Sequence, residues 1–275
     1  MTQNERLDYL VERFKADSVR YRDLEVGESV EERRTALRSL MNIRPPRPLD
    51  AETLLVQDEY LCERAKEKGI IPLSQIPTLQ KQYGSCRMHA DRLSLWQGDI
   101  VRLEVDAIVN AANAQMLGCF QPMHSCIDNC IHSFAGVELR LECDRQMEAL
   151  RARFGPDYEQ PTAVPMLTEA YNLPAKKVIH VVGPVVHYRL TKGLEEDLAA
   201  CYRNVLELCD RNALRSVAFC CISTGVFHFP ADRAAQIAVE TVAEWLDAHE
   251  TEIDRVIFVV HGDRNRILYE ALLRE

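Results

Sequence analysis

Val105-Asp106-Ala107-Ile108-Val109-Asn110-Ala111-Ala112-Asn113 is the stretch on which the fold turns. So short a run of small and β-branched apolar residues, closed by asparagines, reads as a fully buried strand over 107–110. Outward from it, the same reading gives strands at 92–97, 163–166, 178–182, 217–222 and 255–260. Amphipathic helices are expected at 127–150, 194–211, 231–248 and 264–273. Short apolar strands alternating with such helices specify an α/β fold, a mostly parallel or mixed sheet covered on both faces. Before residue 85 the pattern is helical only. Leu7, Leu10, Val11 and Phe14 recur at helical spacing in 4–15, and helices follow at 30–41 and 50–68. Ile43-Arg44-Pro45-Pro46-Arg47-Pro48 cannot continue a helix, and Asp50 is a natural N-cap for the third. The organisation expected is a helical N-terminal extension, 1–85, and one α/β domain, 86–275.

Composition narrows the function classes. The chain of 275 residues is 47% hydrophobic and 27% charged, as globular proteins are. A net charge of −9 argues against nucleic acid as a partner, because that binding neutralises phosphates. It leaves room for a small phosphorylated ligand held by backbone N–H groups. No run of apolar residues is long enough to span a membrane, and the opening MTQNERLDYLVERF has no signal-peptide pattern. A cytoplasmic protein without membrane partners is expected. Several of the ten cysteines lie in apolar runs such as Phe219-Cys220-Cys221-Ile222, where Cys220 and Cys221 read as core. In a reducing compartment the others are core residues, metal ligands or catalytic groups.

Asn110 to Asn113 leave the carboxyl end of their strand, where open α/β sheets bind ligands. Gly118-Cys119-Phe120-Gln121-Pro122-Met123-His124-Ser125-Cys126 follows, with the spacing Cys-x4-His-x-Cys. Two thiols and an imidazole suit zinc, and three protein ligands with an open fourth position is the pattern of a catalytic site. The other reading is a loop with incidental cysteines in a cysteine-rich chain, and spacing alone leaves both open. Cys130 and His132 fall inside the next helix and read as a small buried residue and a packing or capping histidine. Asp128 stands at that helix's start, where a cap is its ordinary role. A second loop, Ser223-Thr224-Gly225-Val226-Phe227-His228-Phe229-Pro230, also leaves a strand and enters a helix. Its small residues let backbone approach a phosphate, although no Gly-Lys-Ser/Thr makes it a P-loop.

Together these segments resemble a known family. Gly98-Asp99-Ile100, 105–113, Ile127-Asp128-Asn129-Cys130-Ile131-His132, Ala135-Gly136 and Ile222-Ser223-Thr224-Gly225-Val226-Phe227 are similar to successive macrodomain motifs. Tyr171-Asn172-Leu173-Pro174 and Val178-Ile179-His180-Val181-Val182-Gly183-Pro184 match the segments between them, so the resemblance covers about 90–275. It implies a three-layer α/β/α sandwich with a mixed sheet. Where hydrolytic relatives carry a run of glycines, this chain has Cys119 to Cys126. That departure resembles the zinc-containing branch, which also has a helical N-terminal extension, and implies Zn2+ at Cys119, His124 and Cys126. By the same resemblance Asp99 and Ile100 contact adenine, Asn113 holds the distal ribose, and Asp128 sits beside that ribose or the attacking water. Ser223, Thr224, Gly225, Val226 and Phe227 wrap the diphosphate. His228 stands where glycine is common, and His261 where relatives often stack an aromatic on adenine.

The function so implied is a zinc-dependent hydrolase that removes mono-ADP-ribose from modified proteins, with a carboxylate as the expected linkage. Its partners are ADP-ribose and the mono-ADP-ribosylated protein. A reader that binds ADP-ribose without cleaving it is the rival of a different class, since fold does not fix function. Deacylation of O-acetyl-ADP-ribose is a third reading. The N-terminal helices either pack on the α/β domain or help recognise the modified protein.

Overall fold

The computed structural model describes residues 1–274. Three helices come first: α1 (Gln3–Ala16), α2 (Val30–Ile43) and α3 (Ala51–Lys68). Next come β1 (Ile71–Pro72), α4 (Leu79–Tyr83), β2 (Leu93–Gln97), β3 (Leu103–Glu104) and β4 (Ala107–Ala112). Then follow α5 (Ile127–Ala135), α6 (Val137–Phe154), β5 (Met166–Glu169) and β6 (Lys177–Val182). The chain closes with α7 (Lys192–Arg211), β7 (Ser216–Phe219), α8 (Ala231–Ala248), β8 (Arg255–Val260) and α9 (Asp263–Leu273). These elements form two compact units, one of 1–69, 115–158 and 170–173, the other of 70–114, 159–169 and the described residues from 174 on.

The second unit holds a six-stranded sheet in the order β2-β8-β7-β4-β6-β5. All pairs are parallel except the edge pair β5–β6, so the sheet is mixed as expected. Ile108 and Val109 of β4 are fully buried, as a strand covered on both faces requires. Asp106 ties this strand to β7 at the amino end: its Oδ2 accepts from Arg215 N at 2.9 Å and Ser216 N at 3.0 Å, and its Oδ1 from Lys176 Nζ at 2.6 Å. The main core joins sheet residues such as Val109, Ile179, Val217 and Val256 to Leu198, Tyr202 and Val205 of α7 and Ala238, Val242 and Trp245 of α8.

The first unit has its own core, in which Leu7, Leu10, Val11 and Phe14 meet Leu37 and Leu40 of α2 and Val56, Tyr60 and Leu61 of α3. Each of its first three helices begins on a side-chain cap. Thr2 with Glu5 and Ser29 with Glu32 form capping boxes, and Asp50 accepts from Thr53 N at 3.0 Å. Each cap contributes about 1 kcal/mol.

Three expected elements differ. The single helix at 127–150 is two helices, broken at Gly136, whose φ of 99° and ψ of 177° no helix accommodates. The strand expected at 163–166 runs over Met166–Glu169, because Ala163 turns the chain with a φ of 63° and Pro165 has no N–H for a ladder. The strand expected at 217–222 ends at Phe219, so Cys220 and Cys221 are half-buried flanks of the core rather than strand residues.

Candidate active site

β2, β4, β7 and β8 are mutually parallel neighbours, so the residues after their carboxyl ends share one edge of the sheet. Topology therefore gathers Asp99 and Ile100 (after β2), Asn113 (after β4), Ser223 to Phe227 (after β7) and His261 (after β8) at that edge. Their environments differ. The Asp99 carboxylate accepts from Val101 N at 3.2 Å and starts a single 3-10 turn, and the Ile100 side chain is buried. Asn113 is half-buried and His261 exposed.

The Ser223 loop is built from its own backbone. Thr224 N donates to Cys221 O at 3.4 Å, His228 N to Gly225 O at 3.0 Å, Phe229 N to Ser223 O at 3.0 Å, and Val186 N to Phe227 O at 2.9 Å. Ser223 and His228 take the left-handed conformation, with φ of 64° and 56°. Outside glycine this costs about 1–3 kcal/mol each and gathers at functional sites. The Ser223 hydroxyl is buried and has no hydrogen-bond partner among the described residues, which is unusual for a buried polar group.

In the first unit, Cys119, His124 and Cys126 are brought together. Their donor atoms lie within 4.8 Å of one another, and Cys119 Sγ stands 3.6 Å from His124 Nδ1. Two Zn–S bonds of about 2.3 Å at a tetrahedral angle set sulfurs about 3.8 Å apart, so one zinc ion fits both the spacing and the donor chemistry. All three side chains are half-buried.

Cys126 also caps α5. Its Sγ accepts from Asn129 N at 3.4 Å, so the cap is Cys126 and not Asp128. Burial pushes the Cys126 thiol up to about 12, with the neighbouring Cys119 adding to the rise. Asp128 lies in the first turn of α5, where the helix terminus favours an anion, and its Oδ1 is 3.5 Å from His132 Nε2. His132 is buried against the loop backbone: a Cβ on Gly118 would lie 2.8 Å from its ring. Cys130 is half-buried, its Sγ 3.5 Å from Arg38 Nη2.

The comparisons with known proteins converge on one family. The Macro domain model matches residues 109–238. A Treponema medium protein named Protein-ADP-ribose hydrolase is 42% identical over 274 residues, spanning 99% of this chain and 100% of that one. The chain belongs to the macrodomain family. A Staphylococcus aureus relative of the same name is 39% identical over 272 residues, 98% of this chain and 96% of its own. Among solved structures, the Trypanosoma brucei macrodomain in complex with ADP-ribose is 27% identical with a TM-score of 0.64, covering 90% of this chain and 97% of that one.

Sequence reasoning missed some of the residues that shape this macrodomain's loops. Gly183 is one: a Cβ there would lie 2.1 Å from Ser223 Oγ, so only glycine leaves that hydroxyl its place. The signal was present in Val182-Gly183-Pro184, a glycine directly after an apolar strand. Arg38, Asn42 and Arg140 are others, and all three bond the 117–126 segment from outside it. No local pattern marks them, because their partners lie from 23 to 86 positions away in the chain.

Proposed function

We propose that this macrodomain hydrolyses the bond joining mono-ADP-ribose to a modified protein, that the bond is to a carboxylate, and that zinc is held by Cys119, His124 and Cys126. The observation that carries the reading is the convergence of those three donors, in a chain that aligns end to end with relatives named protein-ADP-ribose hydrolases. Zinc bound by two thiolates and an imidazole supplies modest Lewis acidity and a fixed point for orienting a substrate oxygen.

The remaining roles belong to the chain. Backbone N–H groups of Ser223 to Phe227, with the buried Ser223 hydroxyl, hold the diphosphate without a net positive charge. Asn113 hydrogen-bonds the distal ribose. Water attacks the anomeric carbon as the carbon–oxygen bond to the carboxylate breaks, and positive charge develops on the ribose. The Asp128 side chain stabilises that charge and takes the water's proton. The departing carboxylate needs no proton, so one acidic residue suffices. Asp99 and Ile100 bound the adenine end. Ten cysteines free of disulfides fit a cytoplasmic site of action, and no helix among the described residues is long and apolar enough to cross a membrane.

The test pairs metal content with release of ADP-ribose from a carboxylate-linked mono-ADP-ribosylated protein, for wild type, Cys119→Ala and Asp128→Ala. One zinc per chain, with turnover lost in both folded variants, is the expected result. Full turnover by metal-free folded protein would remove zinc from the mechanism. Tight ADP-ribose binding with no release from any substrate would make the chain a reader.

A further inference from the structure

Helix α2 lies far from the metal loop in sequence, yet it supplies that loop's hydrogen-bond partners. Arg38 Nη2 donates to His124 O at 3.0 Å and to Asn129 Oδ1 at 2.7 Å. Asn129 in turn donates from Nδ2 to Gln121 O at 2.9 Å and Cys119 O at 3.3 Å, while its own N–H meets Cys126 Sγ. Through one guanidinium, Arg38 thus reaches the backbone of two donors and the residue that caps onto the third. One turn later on α2, Asn42 accepts from Met123 N at 3.0 Å and donates to Ser133 Oγ at 2.8 Å. Met123 is left-handed, with a φ of 55°, and Met116 and Gly118 earlier in the segment are left-handed too. Strain of this kind persists only where surroundings over-determine it.

The third tie comes from α6. Arg140 Nε donates to Leu117 O at 2.7 Å, its Nη1 to Met41 O at 3.1 Å, and its guanidinium lies 4.2 Å over the Phe120 ring. One side chain therefore joins the loop to a carbonyl in the last turn of α2. By contrast, the only backbone bond within 119–126 runs from His124 N to Gln121 O at 3.3 Å. The loop does not hold itself.

We infer that α2 is the clamp of the metal loop, with Arg38 and Asn42 as positioning residues that set Cys119, His124 and Cys126 into ligating geometry before a metal arrives. This gives part of the N-terminal extension a role inside the metal centre. The inference rests on the zinc reading only for its metal readout. Groups that orient ligands in this way typically change metal affinity by about 10–100-fold when removed.

The experiment uses the full chain and the variants Arg38→Met and Asn42→Leu, with Arg34→Ala as control. Arg34 is on the same helix but pairs with Glu31 and Glu67. Two quantities are read. The first is the alkylation rate of Cys119 and Cys126 in metal-free protein, resolved by mass spectrometry, with fully buried Cys143 as the internal report of global unfolding. The second is Co2+ affinity from the thiolate charge-transfer band. Expected are about tenfold faster labelling of Cys119 and Cys126 with Cys143 unchanged, and Co2+ binding weakened about 10–100-fold, in both clamp variants and not in Arg34→Ala. Labelling and Co2+ affinity at wild-type values in folded variants would overturn the clamp. Should wild type bind no Co2+, the metal reading fails and the labelling rates alone decide the clamp. Should a substitution expose Cys143, Arg38→Lys and Asn42→Asp, which each keep part of the bonding, take its place under the same criterion.

Discussion

The two loops proposed to hold zinc and diphosphate in this macrodomain are themselves held in opposite ways. Ser223 to Phe229 closes on itself through main-chain bonds between residues at most six apart, and a main-chain bond from Val186 adds to it. Cys119 to Cys126 has one internal main-chain bond and is otherwise met by the side chains of Arg38, Asn42 and Asn129, with Arg140 over Phe120. A loop of the first kind costs little beyond its strained residues, and its shape follows from local sequence. The second kind requires distant side chains to be ordered first, which adds entropy cost but allows softer donors to be fixed in space.

The contrast can be broken most readily at its ends. His124→Ala should abolish stable metal binding and lower turnover more than the about 10–100-fold expected for an outer partner, while leaving ADP-ribose affinity by calorimetry near wild type. Gly183→Ala should do the reverse. Overpacking against Ser223 Oγ costs about 1–3 kcal/mol, so ADP-ribose binding weakens about tenfold with zinc content unchanged. If either variant disturbs both readouts equally, the loops are not independent.

Buried polar contacts elsewhere in each unit sharpen the same contrast. In the sheet, burial holds His180 neutral and lowers its pKa to about 3, with Asn110 Nδ2 3.0 Å from Nδ1 and Thr168 Oγ1 3.0 Å from Nε2. The unfolded chain binds this proton near 6.5 and the native one does not. Stability is therefore full above about 6.5 and falls as pH drops toward 3, by at most about 1.4 kcal/mol per pH unit from this group. Denaturant titrations across that range should show the slope, and His180→Gln should lose it. In the helical unit, Gln57 Oε1 accepts from Val137 N at 3.1 Å and so caps α6 from another helix. Gln57→Ala should cost about 1 kcal/mol, seen as a melting shift of about 2–4 °C without change in ADP-ribose affinity.

Much of this was legible before any coordinates. The strand at 107–110, the cap at Asp50 and the apolar stripe of α1 follow from spacing and residue type, and each stands where it was expected. Cys119, His124 and Cys126 were readable because their spacing is local. The break at Gly136 was not, since a glycine inside an otherwise helical pattern is usually tolerated. What keeps a side chain out of that position lies in Gln57 and Asn172, whose amide nitrogens stand 2.8 and 3.0 Å from where a Cβ would be. Arg38 and Asn42 were invisible for the same reason: on α2 they look like any half-polar helix positions, and their meaning depends on a loop some 80 residues later.

That separation has an outcome on the ribosome. Domains take shape from the N-terminus as synthesis proceeds. Helices α1 to α3, each with its own cap, emerge before the cysteine loop is translated. Arg38 and Asn42 are thus already in the chain when the loop they bond is made, whereas Arg140 follows it.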